Sequence, residues 1–207
     1  MNQASRTYGG RTREERDADR RERMRASALA LFGNEGYTAV PIERLCSHAK
    51  VSTRHFYQLY DSKEDVLLDV YAQITGAAFS AVAASLEEST GRPIDERMRT
   101  AVRAYLSPML ESPALARIAF VEIVGVSPRV EENRLQFRSS VVALVEHEAR
   151  LAVERGEIED RDFKFAALAF SGAVNVVVHD WSLSPNHAAA DVLTQQLCDL
   201  LVLLALR

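Results

Sequence analysis

An all-α fold is predicted by three features of the sequence. Its 207 residues include only 9 Gly and 6 Pro, Ala, Leu, Arg and Glu are plentiful, and no alternating run of Val, Ile and Thr is bounded by turns. With 47% hydrophobic residues, the chain can bury a substantial core as one compact unit or as two small ones sharing a long element.

Residues 1–19 are polar, hold a Gly-Gly pair and show no hydrophobic period, so a mobile arm is expected there. From Arg20 the pattern turns helical: Met24, Ala28, Leu31 and Phe32 recur at helical spacing, and Gly33 to Gly36 close the segment. Ile42, Leu45, Cys46 and Ala49 define a short second helix, with Pro41 suited to a first helical turn. A tight break at Lys50-Val51 precedes Ser52, an N-cap for a third helix whose inner residues are Phe56, Leu59 and Tyr60. Ser62 and Asp65 stand at capping-box spacing and open a long helix near Lys63, which Gly91 to Pro93 end.

Further along, Ser112-Pro113 and Ser127-Pro128 each combine an N-cap with a proline at the first helical position, so helices should begin there. Gly156 with Asp160 punctuates another pair. Pro185-Asn186 separates the last helix, whose apolar stripe runs from Val192 to Leu204. Two short helices joined by a tight turn behind a longer one make a helix-turn-helix, expected over residues 20–64, and residues 65–207 are expected to form a larger helical bundle.

The charge is uneven. Residues 1–64 carry 12 Lys and Arg against 9 Asp and Glu, while residues 65–207 carry 13 against 20, so a weakly basic head precedes an acidic body. Once Phe56, Leu59 and Tyr60 turn inward, the outer face of the third helix is left with Thr53, Arg54, Tyr57 and Gln58, all hydrogen-bond donors. In a DNA major groove an arginine reads guanine bidentately, Gln58 and Thr53 reach base edges or phosphate, and Tyr57 donates to a phosphate. Lys63 would add a cation where free backbone N–H groups already favour an anion. Lys50, Ser52 and His55, around the turn, complete the candidate DNA-binding set. A polar helix face is ordinary by itself; its place as the second helix of a helix-turn-helix is what gives it meaning.

Residues 24–71, MRASALALFGNEGYTAVPIERLCSHAKVSTRHFYQLYDSKEDVLLDVY, resemble the DNA-binding domain of the tetracycline-repressor-like (TetR) family of bacterial regulators. The matching pieces are ALxLFxxxGY at the end of the first helix, IxxLCxxAxVS across the helix-turn-helix, FY in the recognition helix and SKED at the start of the fourth. The resemblance implies a homodimer that binds a palindromic operator, with Tyr57 and Lys63 at positions that grip phosphates. Three departures stand out. Val40-Pro41 replaces a Thr or Ser that caps the second helix and touches phosphate, so that contact is expected to be missing. Lys50 occupies a turn position often held by Gly, at some steric cost. Arg54 replaces a small residue and suggests a strong guanine preference. Upstream, Arg6, Arg11 and Arg13 suit a minor groove, but four acids among residues 14–19 blunt their charge and favour a disordered tail.

Beyond residue 75 the resemblance is architectural and implies a ligand pocket inside the bundle, with dimerisation through the last two long helices. Small residues in AALAFSGA (166–173) permit close helix approach, and the stripe from Val192 to Leu204 is wider than one small core requires. Pocket candidates are Tyr105, Met109, Phe120, Glu122, Phe137, Phe170, Asn175, His179 and Trp181, which mix apolar and polar groups. Most Phe, Met and Trp at such spacing are core. Asn175 inside an apolar run is more telling, because a buried amide needs partners, and His179 suits either a ligand contact or a helix end.

Other classes are poorly supported. GxGxxG, GxxxxGK[ST] and GxSxG do not occur. His147-Glu148 begins like HExxH, but Leu151 stands where the second zinc ligand is needed, and His48 and His55 have no partner at metal spacing. Neither enzyme, metal nor cofactor is expected. Cys46 and Cys198 lie far apart outside any CxxC pair, which fits a reducing compartment. No apolar signal segment opens the chain, and the longest apolar stretch, 166–178, is too short to span a bilayer, so a cytoplasmic protein without a membrane partner is expected. The reading is a ligand-responsive repressor acting on double-stranded operator DNA through a small, mostly apolar effector. The alternatives are a helical small-molecule-binding protein with a weakened DNA-binding head, or a ligand-dependent activator or co-regulator that differs only in the sign of the ligand effect.

Overall fold

The computed structural model describes residues 12–206, which form nine α-helices and no strand. They divide into two compact units between Val70 and Tyr71.

In the first unit α1 spans Arg13–Glu35, α2 Ile42–Ala49, α3 Thr53–Leu59, and α4 begins at Lys63. The first helix starts well before Arg20, where apolar periodicity begins. A capping box launches it: Thr12 Oγ1 accepts from Glu15 N–H (3.1 Å) and Glu15 Oε2 accepts from Thr12 N–H (2.7 Å). Its first turns bury little and are laced by ion pairs instead, Arg13–Asp17 (3.7 Å), Arg20–Asp17 (2.7 Å) and Arg23–Asp19 (3.1 Å). Acids expected to blunt the charge of an arm therefore hold a helix together. Residues 1–11, with Arg6 and Arg11, lie outside the described residues.

Met24, Ala28, Leu31 and Phe32 are buried, as the periodicity predicts, and Gly36 ends α1 at φ 93°. Pro41 sits at the N-cap of α2, one residue before the first turn, and provides no side-chain cap. Ser27 Oγ donates to the Leu45 carbonyl (3.1 Å) and ties α2 to α1. Helix α3 is capped by Ser52, whose Oγ accepts from His55 N–H (3.3 Å), and it is anchored by fully buried Phe56. Leu59 is half-buried and Tyr60 buried. Tyr60 Oη donates to Asp69 Oδ2 (2.6 Å), and Asp69 also pairs with Arg25 (3.4 Å). Burial, then the Asp69 carboxylate, push the Tyr60 phenol well above the ordinary tyrosine range. These bonds keep Asp69 with the first unit, which explains why the division falls after Val70 and not after residue 64.

Helix α4 (Lys63–Glu88) opens with the expected box: Ser62 Oγ accepts from Asp65 N–H (3.2 Å), while Asp65 Oδ2 accepts from Ser62 N–H (2.9 Å). By length and composition α4 is apolar enough to cross a membrane, but Val66, Leu67, Val70, Ile74, Ala78 and Val82 are buried within the protein. In the second unit it is followed by α5 (Ile94–Leu110), α6 (Pro113–Arg117), a π-helical turn (Ile118–Glu122), α7 (Pro128–Glu154), α8 (Phe163–Leu183) and α9 (Ala190–Leu206). Ser112 and Ser127 cap α6 and α7 as expected. Helix α8 is capped by Asp162, whose Oδ1 accepts from the Lys164 N–H (3.0 Å). Helix α5 packs on α9, α7 on α8, and α8 on both α6 and α9.

Phe56 is 0% and Tyr57 56% exposed, although the two are chain neighbours. Truncating Phe56→Ala is expected to cost about 3–5 kcal/mol. Tyr57→Ala, which loses only an edge contact with the Phe56 ring, should cost less than about 1 kcal/mol. Urea unfolding of both variants checks the contrast.

Candidate nucleic-acid interface and ligand cavity

The turn between α2 and α3 decides what α3 shows to solvent. Lys50 adopts φ 53°, ψ 43°, and it is the one non-glycine among the described residues with positive φ. Lys50 N–H donates to Ser47 O (3.3 Å) and Val51 N–H to Cys46 O (3.0 Å), the paired bonds of a Schellman motif, with Val51 buried beside them. The next carbonyls, of Ala49 and Lys50, both accept from Arg23 Nη1 at 3.0 Å. Arg23 was not singled out in the sequence, because its role depends on a contact 26 and 27 residues away.

Beyond this turn Ser52, Thr53, Arg54, Tyr57 and Gln58 are exposed. Arg54 and Gln58 stand four residues apart, as do Thr53 and Tyr57, so the four form two adjacent columns on one face. Helix α3 contains no carboxylate. The side chains of Arg54 and Gln58 and the Tyr57 hydroxyl have no hydrogen-bond partner among the described residues. Ser52 and His55 differ: Ser52 Oγ holds the His55 N–H and lies 2.8 Å from His55 Nδ1, so both serve the cap. Thr53 also hydrogen-bonds Cys46, whose thiol is pushed up first by burial.

Lys63 is half-buried and internally engaged. Its Nζ donates to the carbonyls of Tyr37 (2.8 Å) and Val40 (3.0 Å) and sits 4.2 Å over the Tyr37 ring. Burial lowers its pKa below the ordinary lysine value. Two of the three donors of an ammonium are thereby used to close the loop between α1 and α2.

In the second unit, α4, α5, α7, α8 and α9 line a cavity of about 60 Å³. Its walls are apolar, with Phe79, Val82, Met98, Val102, Val145 and Phe170 among them. Tyr105 and Phe137 stack at 6.3 Å, and Phe137 also meets Tyr71 and Phe79 edge-on, so an aromatic cluster stands at the α7 side. Burial drives the Tyr71 and Tyr105 phenols well above their usual range, so both stay neutral donors at any ordinary pH. A smaller cavity of about 20 Å³ shares Tyr105 with the first and is lined also by Met109, Phe120, Phe137 and Asn175. Phe120, Asn175 and His179 reach an open groove beside it.

Seven of the nine pocket candidates therefore line these spaces. The other two do not. Glu122 pairs with Arg117 (2.8 Å) on the π-helical turn, and Trp181 is buried with its Nε1–H given to Ala188 O (2.7 Å) and its ring 4.5 Å from His187. Asn175 meets the demand for a partner locally, through Ser171 O (2.7 Å).

Two residues that line the larger cavity are not among the pocket candidates, and Glu148 was weighed only as part of an HExxH pattern. Arg97 Nη2 donates to Glu148 Oε2 at 2.5 Å, with the two side chains only 9% and 14% exposed. Their signal lay in the periodicity. Ile94, Arg97, Met98, Ala101 and Tyr105 share one face of α5, and Val141, Leu144, Val145 and Glu148 one face of α7, so each charge falls on an apolar stripe.

A family model described as "Bacterial regulatory proteins, tetR family" matches residues 25–70, and one described as "Tetracyclin repressor-like, C-terminal domain" matches residues 91–202. The chain belongs to the TetR family of transcriptional regulators. Among solved structures, a tetR-family regulatory protein from Rhodococcus RHA1 is 20% identical over 90% of this chain and 97% of its own, with a TM-score of 0.74. The fatty acid degradation regulator FadR from Bacillus halodurans is 17% identical over 88% and 94%, TM-score 0.79. The transcriptional regulator FadR from Bacillus subtilis, solved in complex with stearoyl-CoA, is 15% identical over 87% and 97%, TM-score 0.78. At these identities the likeness is one of fold. No curated protein matches the chain in sequence.

The buried pair gives a sharp stability contrast. Glu148→Ala strands a guanidinium in an apolar wall and is expected to cost about 3–5 kcal/mol, whereas Arg97→Met with Glu148→Leu together should leave the protein at least as stable as the parent. Denaturant midpoints of the two variants decide.

Proposed function

We propose that the protein is a cytoplasmic, homodimeric repressor that binds a palindromic operator through α3 and leaves it when a small, mostly apolar molecule enters the cavity lined by α4, α5, α7, α8 and α9. The observation that carries this reading is the set of unpartnered donors on α3, held outward by the Schellman turn and by Phe56. Arg54 takes the base-reading role, since a guanidinium fork matches the O6 and N7 of guanine. Gln58 and Thr53 sit beside it. Tyr57 and Lys50 take phosphates, and Lys63 contributes its one remaining donor while organising the loop. With Pro41 at the α2 N-cap, no hydroxyl is offered there.

Dimerisation is supported by an exposed apolar stripe. Phe165 (72% exposed), Leu168, Val176 (70%) and Leu183 follow one line of α8 together with Gly172, where an added Cβ would meet open space. Val192 and Leu203 are exposed on α9, which packs against α8. Patches of this kind mark protein–protein contacts, and a second copy on this face would form the four-helix seam.

The effector reading rests on the size and chemistry of the cavity. At about 60 Å³ it is well below the roughly 300–1,000 Å³ of ligand pockets, so a guest must spread the helices around it. A guest that binds the spread state better than the closed one shifts the population between them. Helix α4 lines the cavity with Phe79 and Val82 and continues back to Lys63, which makes it the carrier of the change in this mechanism. The Bacillus subtilis neighbour solved with stearoyl-CoA holds a ligand with a long apolar chain, in keeping with such a lining.

Selection of duplexes from a random DNA pool at about 0.15 M salt should enrich a palindrome with half-sites about one helical turn apart. Absence of enrichment from folded protein favours the weakened-head or ligand-dependent alternatives. Arg54→Ala should relax the selected sequence at one position per half-site by about 1–3 kcal/mol, and a uniform loss on all sequences refutes the base-reading role. Saturating operator should weaken effector binding by the same factor that effector weakens operator binding; an unchanged effector affinity sinks the mechanism.

A further inference from the structure

Arg97 and Glu148 are the only charged side chains lining the larger cavity among the described residues, and everything around them is apolar apart from the Tyr105 phenol. Arg97 is 7% exposed. One of its terminal nitrogens, Nη2, is committed to Glu148, but its Nε–H is buried without a hydrogen-bond partner, and it is the one buried side-chain polar atom among the described residues in that position. Buried donors are nearly always satisfied, and a donor on a charged group is the costliest to leave unmade. A guest that fills this cavity with hydrocarbon alone leaves that donor stranded. A guest with an acceptor at the right place removes the penalty.

Charge narrows the acceptor. Glu148 already balances Arg97 within hydrogen-bonding distance. Glu157 feels the same guanidinium: its carboxyl is held below the usual range first by the hydrogen bond from Arg155, with the Ile94 N–H and the charges of Arg155 and Arg97 adding to it. A carboxylate guest would bring a further negative charge next to Glu148 among apolar side chains, where like charges repel strongly and desolvation of an anion is expensive. An uncharged oxygen meets neither cost and still gains a charge-assisted hydrogen bond.

We propose that the cavity recognises a largely apolar effector carrying one uncharged acceptor oxygen, of the ketone, ester or lactone type, through the Nε–H of Arg97. This rests on the reading of the cavity as the effector site and adds the chemical class to it. Arg97 is then the specificity-determining residue, and Glu148 positions its guanidinium and cancels its charge, so that a neutral carbonyl is preferred to a fatty or aromatic acid.

The test uses the full-length protein and three small probes of similar bulk: propylbenzene, propiophenone, which replaces one CH₂ of it by a carbonyl, and phenylacetate. Dissociation constants are measured by calorimetry at neutral pH. The expected order is propiophenone at least about tenfold tighter than propylbenzene, with phenylacetate weakest. In the paired variant Arg97→Met/Glu148→Leu, the advantage of the ketone over the hydrocarbon should collapse to about unity. Equal binding of the ketone and the hydrocarbon to the parent protein overturns this inference while leaving the cavity as an apolar effector site. Tightest binding of phenylacetate overturns it in favour of an acid effector. Failure of all three to bind at millimolar concentration overturns both this inference and the effector reading of the cavity. If the paired variant does not fold, the order measured on the parent decides alone.

Discussion

The face that α3 presents to solvent depends on one strained residue. Lys50 stands in the left-handed region, where a side chain with a Cβ pays about 1–2 kcal/mol relative to its ordinary conformations. The strain is offset by what the turn makes possible: two backbone bonds that finish α2, burial of Val51, and two carbonyls that accept a single Arg23 nitrogen. Because α3 starts two residues later from the Ser52 cap, the direction of this turn fixes which residues of a seven-residue helix face inward. Phe56 goes in. Arg54, Tyr57 and Gln58 go out. A helix this short has little stability of its own, so the face exists only because its two ends and its anchor are fixed by neighbours.

Lys63 belongs to the same construction. A sequence reading sees a cation at a helix start and assigns it to an anion outside the protein. The folded chain shows the ammonium already tied to the Tyr37 and Val40 carbonyls and to the Tyr37 ring, closing the loop that precedes α2. Its position is thus set by the fold first, and any outward contact is made by a side chain whose geometry is already determined. A flexible surface lysine would lose more conformational entropy on making that contact.

What was legible in the sequence was local. Ser52, Ser62, Ser112 and Ser127 all act as the N-caps that their spacing announces, because an N-cap bond reaches only two or three residues. The burial of Phe56 and the exposure of its neighbours follow from a period of 3.6. The start of α1 was missed because periodicity tests only for a buried stripe, and this segment is held by a capping box and ion pairs with almost nothing buried. The pocket was half legible for a related reason. Aromatic and Met residues at helical spacing correctly mark an interior, but composition does not say whether that interior is filled, so Trp181 was grouped with Phe170 although its indole is satisfied by Ala188 away from the cavities. Arg97 was overlooked, and Glu148 was weighed only as part of an HExxH pattern, because they are charged. Charge argues for the surface unless position on the helix is weighed equally, and only the apposition of α5 and α7 explains how two charges stand in an apolar wall.

Both units point to their candidate functional groups in the same way, as donors left over once the structural hydrogen bonds have been counted, yet the two leftovers differ in what they imply. On α3 the spare donors of Arg54, Tyr57 and Gln58 are bathed in water, so leaving them free costs nothing; they argue for a partner through their convergence on one carboxylate-free face. The spare Nε–H of Arg97 is different, because water is largely excluded there and an unmade bond weakens the fold itself. A buried ion pair contributes little net stability compared with apolar residues of the same shape. An all-apolar wall would close this cavity more firmly, so the pair is better explained by what it discriminates than by what it stabilises. The same feature that loosens the bundle gives it a means of telling one apolar molecule from another.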